Sequence, residues 1–138
     1  MPSILVVEDH PLFVNSLVRL LRDRGKYDVT AVGSAEQALE QLRNGSHYDL
    51  ALVDISLPGR NGIELVNDIR AGVPDLPCMM VSGHVTPIYF HDSLHAGARG
   101  YVLKEDINGI LEGVRQVLKG GTFVSRQLRS PRDDPRTQ

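Results

Sequence analysis

Glu8 and Asp9 stand side by side directly after the apolar run Ile4-Leu5-Val6-Val7. Asp54 closes a second run, Ser82 a third, and Lys104 a fourth. Adjacent carboxylates at the end of an apolar strand repel each other, and three of them in one place cannot all ionise comfortably unless a cation joins them. Oxygen donors of this kind suit Mg²⁺, which keeps several waters and readily shares a phosphate oxygen. Next to such an ion, Asp54 could attack a phosphoryl group as a carboxylate nucleophile and form an acyl phosphate. The Lys104 ammonium and the Ser82 hydroxyl would pair with the new phosphate oxygens. Cation and ammonium both favour the charged form of Asp54.

That chemistry requires elements that bring the four run ends together. Short apolar runs alternate with helical patterns along the chain, which predicts an α/β fold with a parallel sheet. Strands are expected at Ile4–Val7, Asp28–Val32, Asp49–Asp54, Cys78–Ser82 and Gly100–Leu103. A helix from Pro11 to Arg24 places Phe13, Leu17, Leu20 and Leu21 on one face. Pro11 suits its first turn, and Gly25 is expected to stop it. Ser34 and Gln37 form a capping-box pattern ahead of Ala35, Ala38, Leu39 and Leu42, and Gly45 closes that helix. A loop with Pro58, Gly59 and Gly62 leads to a helix through Leu65, Val66 and Ile69. The two glycines are expected to permit positive φ there.

Helix four, Pro87–Ala96, is the weakest. Its apolar side is read as Ile88, Phe90 and Leu94, with little hydrophobic surface exposed. The last helix starts near Asp106, buries Ile107, Ile110, Leu111, Val114, Val117 and Leu118, and ends at Gly120-Gly121. Five repeats of strand then helix imply right-handed crossovers and helices on both faces. In an open parallel sheet, ligands bind beyond the carboxyl ends of the strands. If strands one and three are neighbours, three carboxylates converge there.

Composition narrows the function classes. The chain has 138 residues, a length suited to one domain with a proper core, and a net charge of −2. It is therefore no polycation seeking nucleic acid. Four arginines outweigh two aspartates in residues 126–138, an aperiodic stretch with two prolines that reads as a linker or tail. Cys78 is the only cysteine, so no internal disulfide can form and a reducing, cytoplasmic setting is expected. Neither a signal peptide nor a membrane span is evident.

The stretches "VVEDH", "LVDISLPGRNG", "MVSGH" and "GYVLKED", in that order from Ile4 to Val124, resemble a CheY-like response-regulator receiver domain of two-component systems. "GYVLKE", a long helix, "KGG" and "FVS" look like the NarL/FixJ subfamily, whose receivers precede a LuxR-type helix-turn-helix domain. The resemblance implies a flavodoxin-like, doubly wound (βα)5 fold with a five-stranded sheet of order 2-1-3-4-5. It implies a receiver over residues 1–125, with the output domain outside this chain. It implies that Asp54 accepts phosphate from a sensor histidine kinase or phosphotransfer protein. Asp9 and Asp54 would bind Mg²⁺ directly, Glu8 directly or through water, and the Ser56 backbone carbonyl would be a further ligand.

By the same resemblance, Lys104 contacts the phosphoryl group, Ser82 hydrogen-bonds it and moves, and Tyr101 swings inward in response. The surface of helix 4, strand 5 and helix 5 then changes to control an output, transcription in the NarL/FixJ case. A homodimer would use that surface, or helices 1 and 5. This domain itself would touch neither nucleic acid nor membrane, and would be a switch with slow self-dephosphorylation rather than an enzyme. Ser56 and His84 would lie near the path of attacking water. Glu105 follows Lys104 where many relatives have proline, so a trans peptide is expected there.

Each residue alone has a plainer reading. Asp54 could cap a turn before Pro58, and Glu8 and Asp9 could cap the first helix. Lys104 could be a surface lysine, Ser82 a turn hydroxyl, Tyr101 an aromatic at the core edge, and His10 a helper at the helix start. His91 and His95 have zinc-ligand spacing but no evident third ligand. Other functions remain open at this point. An aspartyl phosphohydrolase of the haloacid-dehalogenase type would need D-x-D after its first strand, where Glu8-Asp9-His10 stands instead. A flavodoxin-type cofactor binder would need a loop of small residues where "EDHP" stands. A freestanding receiver, or a lapsed one acting only by protein binding, is the remaining alternative.

Overall fold

A computed structural model describes residues 1–83 and 87–129. The chain runs β1 (Ser3–Val7), α1 (Pro11–Asp23), β2 (Asp28–Val32), α2 (Ala35–Arg43), β3 (Leu50–Asp54) and α3 (Gly62–Gly72). It continues through β4 (Cys78–Ser82), α4 (Pro87–Ala96), β5 (Gly100–Leu103), α5 (Ile107–Leu118) and β6 (Phe123–Val124), then a 3₁₀ turn at Arg126–Leu128. The sheet is parallel throughout, in the order β2-β1-β3-β4-β5-β6. The expected order of the first five strands holds, and β6 is an addition. Two residues are too short to show periodicity; pairing of Gly100 with Phe123 and Tyr101 with Val124 defines the strand.

Side chains alternate across the sheet, as strand geometry requires. Ile4, Val6, Leu50, Leu52, Met79, Val81 and Val102 pack with Leu17 and Leu21 of α1 and with Ile110, Val114 and Val117 of α5. Leu5, Val7, Ala51, Val53, Cys78, Met80 and Tyr101 pack on the other side with Ala35 and Ala38 of α2, Leu65, Val66 and Ile69 of α3, and Ala96 of α4. Strands buried on both faces are why these runs read as continuously apolar.

Helix ends follow local chemistry with some departures from expectation. Ser34 accepts a hydrogen bond from the Gln37 amide at 3.2 Å, and Gln37 Oε1 accepts from the Gly33 amide at 2.7 Å. The reciprocal box thus reaches one residue further back than the usual pattern. Past α1 the residue with positive φ is Lys26, not Gly25. Gly25 is small for a different reason: a Cβ there would lie 2.5 Å from the Tyr27 ring.

The structure departs from the sequence reading in three further places. On α4 the buried residues are Ser93 and Ala96, with Phe90 partly buried, while Ile88 (62%), Tyr89 (41%) and Leu94 (44%) are exposed. The helix therefore shows considerable apolar surface rather than little. On α5, Ile107 is also exposed. The stretch after Val124 is not wholly loose: Leu128 packs against the cluster containing Tyr101, and Arg129 Nε donates to the Val124 carbonyl at 2.8 Å. Residues 130–138 of the expected tail lie outside the described residues.

Candidate functional site

The carboxyl ends of β1, β3 and β5 meet because β1 pairs with both β2 and β3, and β4 separates β3 from β5 by one strand only. Continued alternation carries Glu8, Asp54 and Lys104 onto the α1/α5 face, in step with Val6, Leu52 and Val102. Lys104 Nζ donates to Glu8 Oε1 at 2.5 Å and to Asp54 Oδ2 at 3.3 Å. It also lies 4.7 Å from the centroid of the Phe13 ring, a cation–π contact that steadies the ammonium. The Lys104–Glu105 peptide is trans, as expected, and the side chain reaches both carboxylates from it.

Glu8 and Asp54 are each 3% exposed, whereas Asp9 and His10 face solvent. Burial pushes the Glu8 carboxyl up to about 8; Asp54 adds to the rise and Lys104 opposes it. Burial also disfavours the Lys104 ammonium, but Glu8 and Asp54 outweigh it and hold that group above its ordinary value. One lysine therefore does not fully neutralise two buried carboxyls. Glu8 Oε2 is buried with no hydrogen-bond partner. An orphaned acceptor of this kind, beside a second carboxylate, fits a cation.

Donor atoms of Glu8, Asp9, His10 and Asp54 all lie within 4.8 Å of one another. This is the one such group among the described residues. His91 and His95, which are exposed, do not form another. His10 was expected only to help start α1. It is the N-cap residue, but its side chain makes no capping hydrogen bond, and its Nδ1 instead stands 3.6 Å from Glu8 Oε1 and Asp9 Oδ1. Its place directly after two carboxylates was the signal in the sequence.

The loop after Asp54 is built around that residue's backbone. The Ser56 amide donates to Asp54 Oδ1 at 3.1 Å, so both carboxylate oxygens are engaged. Gly59 has the expected positive φ of 77°; Gly62 does not. A Cβ on Gly62 would collide with the Asp54 carbonyl oxygen, and the Gly62 amide donates to the Ile55 carbonyl at 2.8 Å. Close approach, not conformational freedom, requires glycine there.

Ser82 and Tyr101 occupy the other face, with Met80. Ser82 is fully buried, and Tyr101 is fully buried with its ring stacked on Phe90 at 5.6 Å between centroids. The phenol reaches no partner with regular hydrogen-bond geometry. Burial raises its pKa, and the nearby Ser82 hydroxyl partly offsets this. The position of His84 lies outside the described residues.

A parallel βα sandwich with an acidic pocket and a lysine at its strand ends is the frame of a phosphorylation-dependent switch. The family described as the response regulator receiver domain matches residues 4–118, and the chain belongs to it. It is 32% identical over 123 residues to the transcriptional regulatory protein DegU of Brevibacillus brevis, covering 88% of this chain and 52% of that protein. It is 35% identical over 130 residues to the DNA-binding transcriptional activator DevR/DosR of Mycobacterium tuberculosis, covering 92% and 59%. The chain thus spans rather more than half the length of these relatives. Among solved structures, a LuxR-family two-component response regulator from Aurantimonas superposes with a TM-score of 0.87 at 28% identity, covering 93% of this chain and 92% of that one. The receiver of the putative response regulator NarL from M. tuberculosis gives 0.79 at 29% identity, covering 86% and 97%.

Proposed function

We propose that Asp54 is the phosphoacceptor of this receiver and takes its phosphoryl group from a histidine kinase or phosphotransfer protein. The observation that carries this reading is Lys104 bridging two buried carboxyls, Glu8 and Asp54, inside the group of four donor atoms. An Asp54 carboxylate oxygen attacks the phosphorus of a phosphohistidine; the P–N bond breaks and its electron pair stays on the imidazole nitrogen. Mg²⁺ held by Asp9, Asp54, Glu8 and the Ser56 carbonyl would neutralise these carboxylates and an incoming phosphoryl oxygen. Lys104, already within 3.3 Å of Asp54, pairs with the transferred group.

Ser82, at the adjacent strand end, takes a further phosphoryl oxygen, and its movement alters the packing of Tyr101 against Phe90. That biases a two-state surface of α4, β5 and α5. Exposed Ile88, Tyr89 and Leu94 support this surface as the one that meets a dimer mate or partner; the α1/α5 face is the alternative. Residues 1–125 form the receiver and 126–138 lead to an output domain. Relatives named as transcriptional regulators support transcription as that output. No described helix is long and apolar enough to cross a membrane, which accords with action in the cytoplasm. Exposed Ser56 beside Asp54 is placed to influence slow loss of the phosphoryl group.

Acetyl phosphate with Mg²⁺ should add one phosphoryl group by intact mass, and beryllofluoride should give a metal-dependent change. Neither should occur with Asp54→Asn. An equal adduct on Asp54→Asn would end the assignment of the acceptor.

A further inference from the structure

We propose that His10 is an additional metal ligand of the acidic pocket, through Nδ1, and that it tilts the site toward borderline transition ions such as Co²⁺, Ni²⁺ and Zn²⁺ over Mg²⁺. This rests on the reading of the pocket as a metal site, and adds a nitrogen donor to its oxygen set.

The geometry suits a shared ion better than a hydrogen bond. Nδ1 stands 3.6 Å from Glu8 Oε1, 3.6 Å from Asp9 Oδ1 and 4.0 Å from Asp54 Oδ2. All three separations exceed the ordinary N–H···O range of up to about 3.2 Å. Donors sharing one octahedral ion at about 2.1 Å are separated by about 3.0 Å when adjacent and about 4.2 Å when opposite. The four donor atoms here, all within 4.8 Å of one another, fall close to that span. Glu8 Oε2, buried beside Asp54 and without a partner of regular hydrogen-bond geometry, marks the pocket as short of a cation. Among the described residues the His10 ring makes no hydrogen bond: it caps no amide of α1, and its side chain is 63% exposed, so an ion can reach it from solvent.

The donor set then decides the preference. Mg²⁺ takes hard oxygen ligands and retains water, so a nitrogen donor contributes little to its binding. Imidazole suits the later first-row ions such as Ni²⁺ and Zn²⁺, whose affinities exceed that of Mg²⁺ where such a donor is present; Mn²⁺, closer to Mg²⁺ in preference, serves as a spectroscopic probe of the same site.

Pulsed electron paramagnetic resonance on the Mn²⁺-loaded chain tests the assignment directly. The wild type should show ¹⁴N modulation from a coordinated imidazole, and His10→Ala should lose it. In parallel, titration calorimetry should show the Zn²⁺ dissociation constant rising about tenfold in His10→Ala, with Mg²⁺ changing by less than about threefold. A ¹⁴N signal that survives His10→Ala overturns the proposal, as does equal weakening of both ions or no ¹⁴N signal in wild type that binds Mn²⁺. Failure of the wild type to bind either ion would instead remove the metal-site reading itself. The variant's melting temperature should match wild type, since the ring is exposed and makes no hydrogen bond among the described residues.

Discussion

The charge balance of three side chains governs the site. Glu8 has its carboxyl raised from the usual 4.5 to about 8, chiefly by burial. Between those values the folded chain holds a proton that the unfolded chain has released. The stability tied to this group is therefore fully present below about pH 4.5 and is lost as the pH rises through about 8. Metal binding needs the carboxylate, so Mg²⁺ should displace that proton and bind more tightly as the pH approaches 8. We expect urea midpoints to fall from pH 5 to 8.5 in wild type, and to fall less with Mg²⁺ present or in Glu8→Gln. Parallel slopes for wild type and Glu8→Gln would show that Glu8 does not carry this titration. Lys104→Ala should still accept phosphate at Asp54 but switch poorly, because the group that links Asp54 to β5 is gone; full switching by the fluorescence or dimer readout would remove Lys104 from the mechanism.

At the scale of elements, two connections hold the site in register. The Gly62 amide and its missing side chain let the start of α3 lie against the backbone of Asp54. Gly62→Ala would drive a Cβ into the Asp54 carbonyl oxygen and should cost about 1–3 kcal/mol by denaturant unfolding. It should also slow phosphorylation, since the loop after Asp54 must shift; wild-type stability in this variant would refute the close approach. The second connection is Ser125, fully buried beyond β6. Its Oγ accepts from the Leu103 amide at 3.0 Å and donates to Asp106 Oδ2 at 2.7 Å, while Asp106 Oδ1 caps the Gly109 amide at 2.9 Å. Lys104 lies between Leu103 and Asp106, so this latch braces the turn that carries it. Ser125→Ala leaves a buried amide unpaired and should lose about 1–3 kcal/mol. Ser125→Thr should recover part of it, and an unchanged melting temperature in the alanine variant would show the latch is dispensable.

Over the whole molecule, one end of the sheet holds the acidic pocket, and α4 carries three exposed apolar residues, where α1 and α5 show one each, Leu12 and Ile107. Ile88, Tyr89 and Leu94 of α4 sit on the helix that packs Phe90 against Tyr101. Exposed apolar residues grouped on one helix suit a partner surface. If beryllofluoride drives self-association there, Ile88→Lys with Leu94→Lys should hold the activated chain monomeric by light scattering while leaving the Asp54 adduct intact. Dimerisation that persists in this variant would point to the α1/α5 face instead.

Strand runs and helix faces were legible because they follow from periodicity, and the site residues because each ends an apolar run. Those features belong to local chemistry: alternation, caps, and carboxylates placed where a strand stops. Only the tertiary structure decided what depends on separations between distant segments. It brought the His10 ring to the three carboxylates, gave Gly62 its reason through contact with Asp54, and moved Ile88 and Leu94 from the core to the surface. It also recruited Phe123 and Val124 as a sixth strand, through pairing with β5 that two residues cannot announce in their own pattern. A side chain's type states what it can do; which oxygen, ring or amide lies within reach is set by the packing of two helical layers on one twisted sheet.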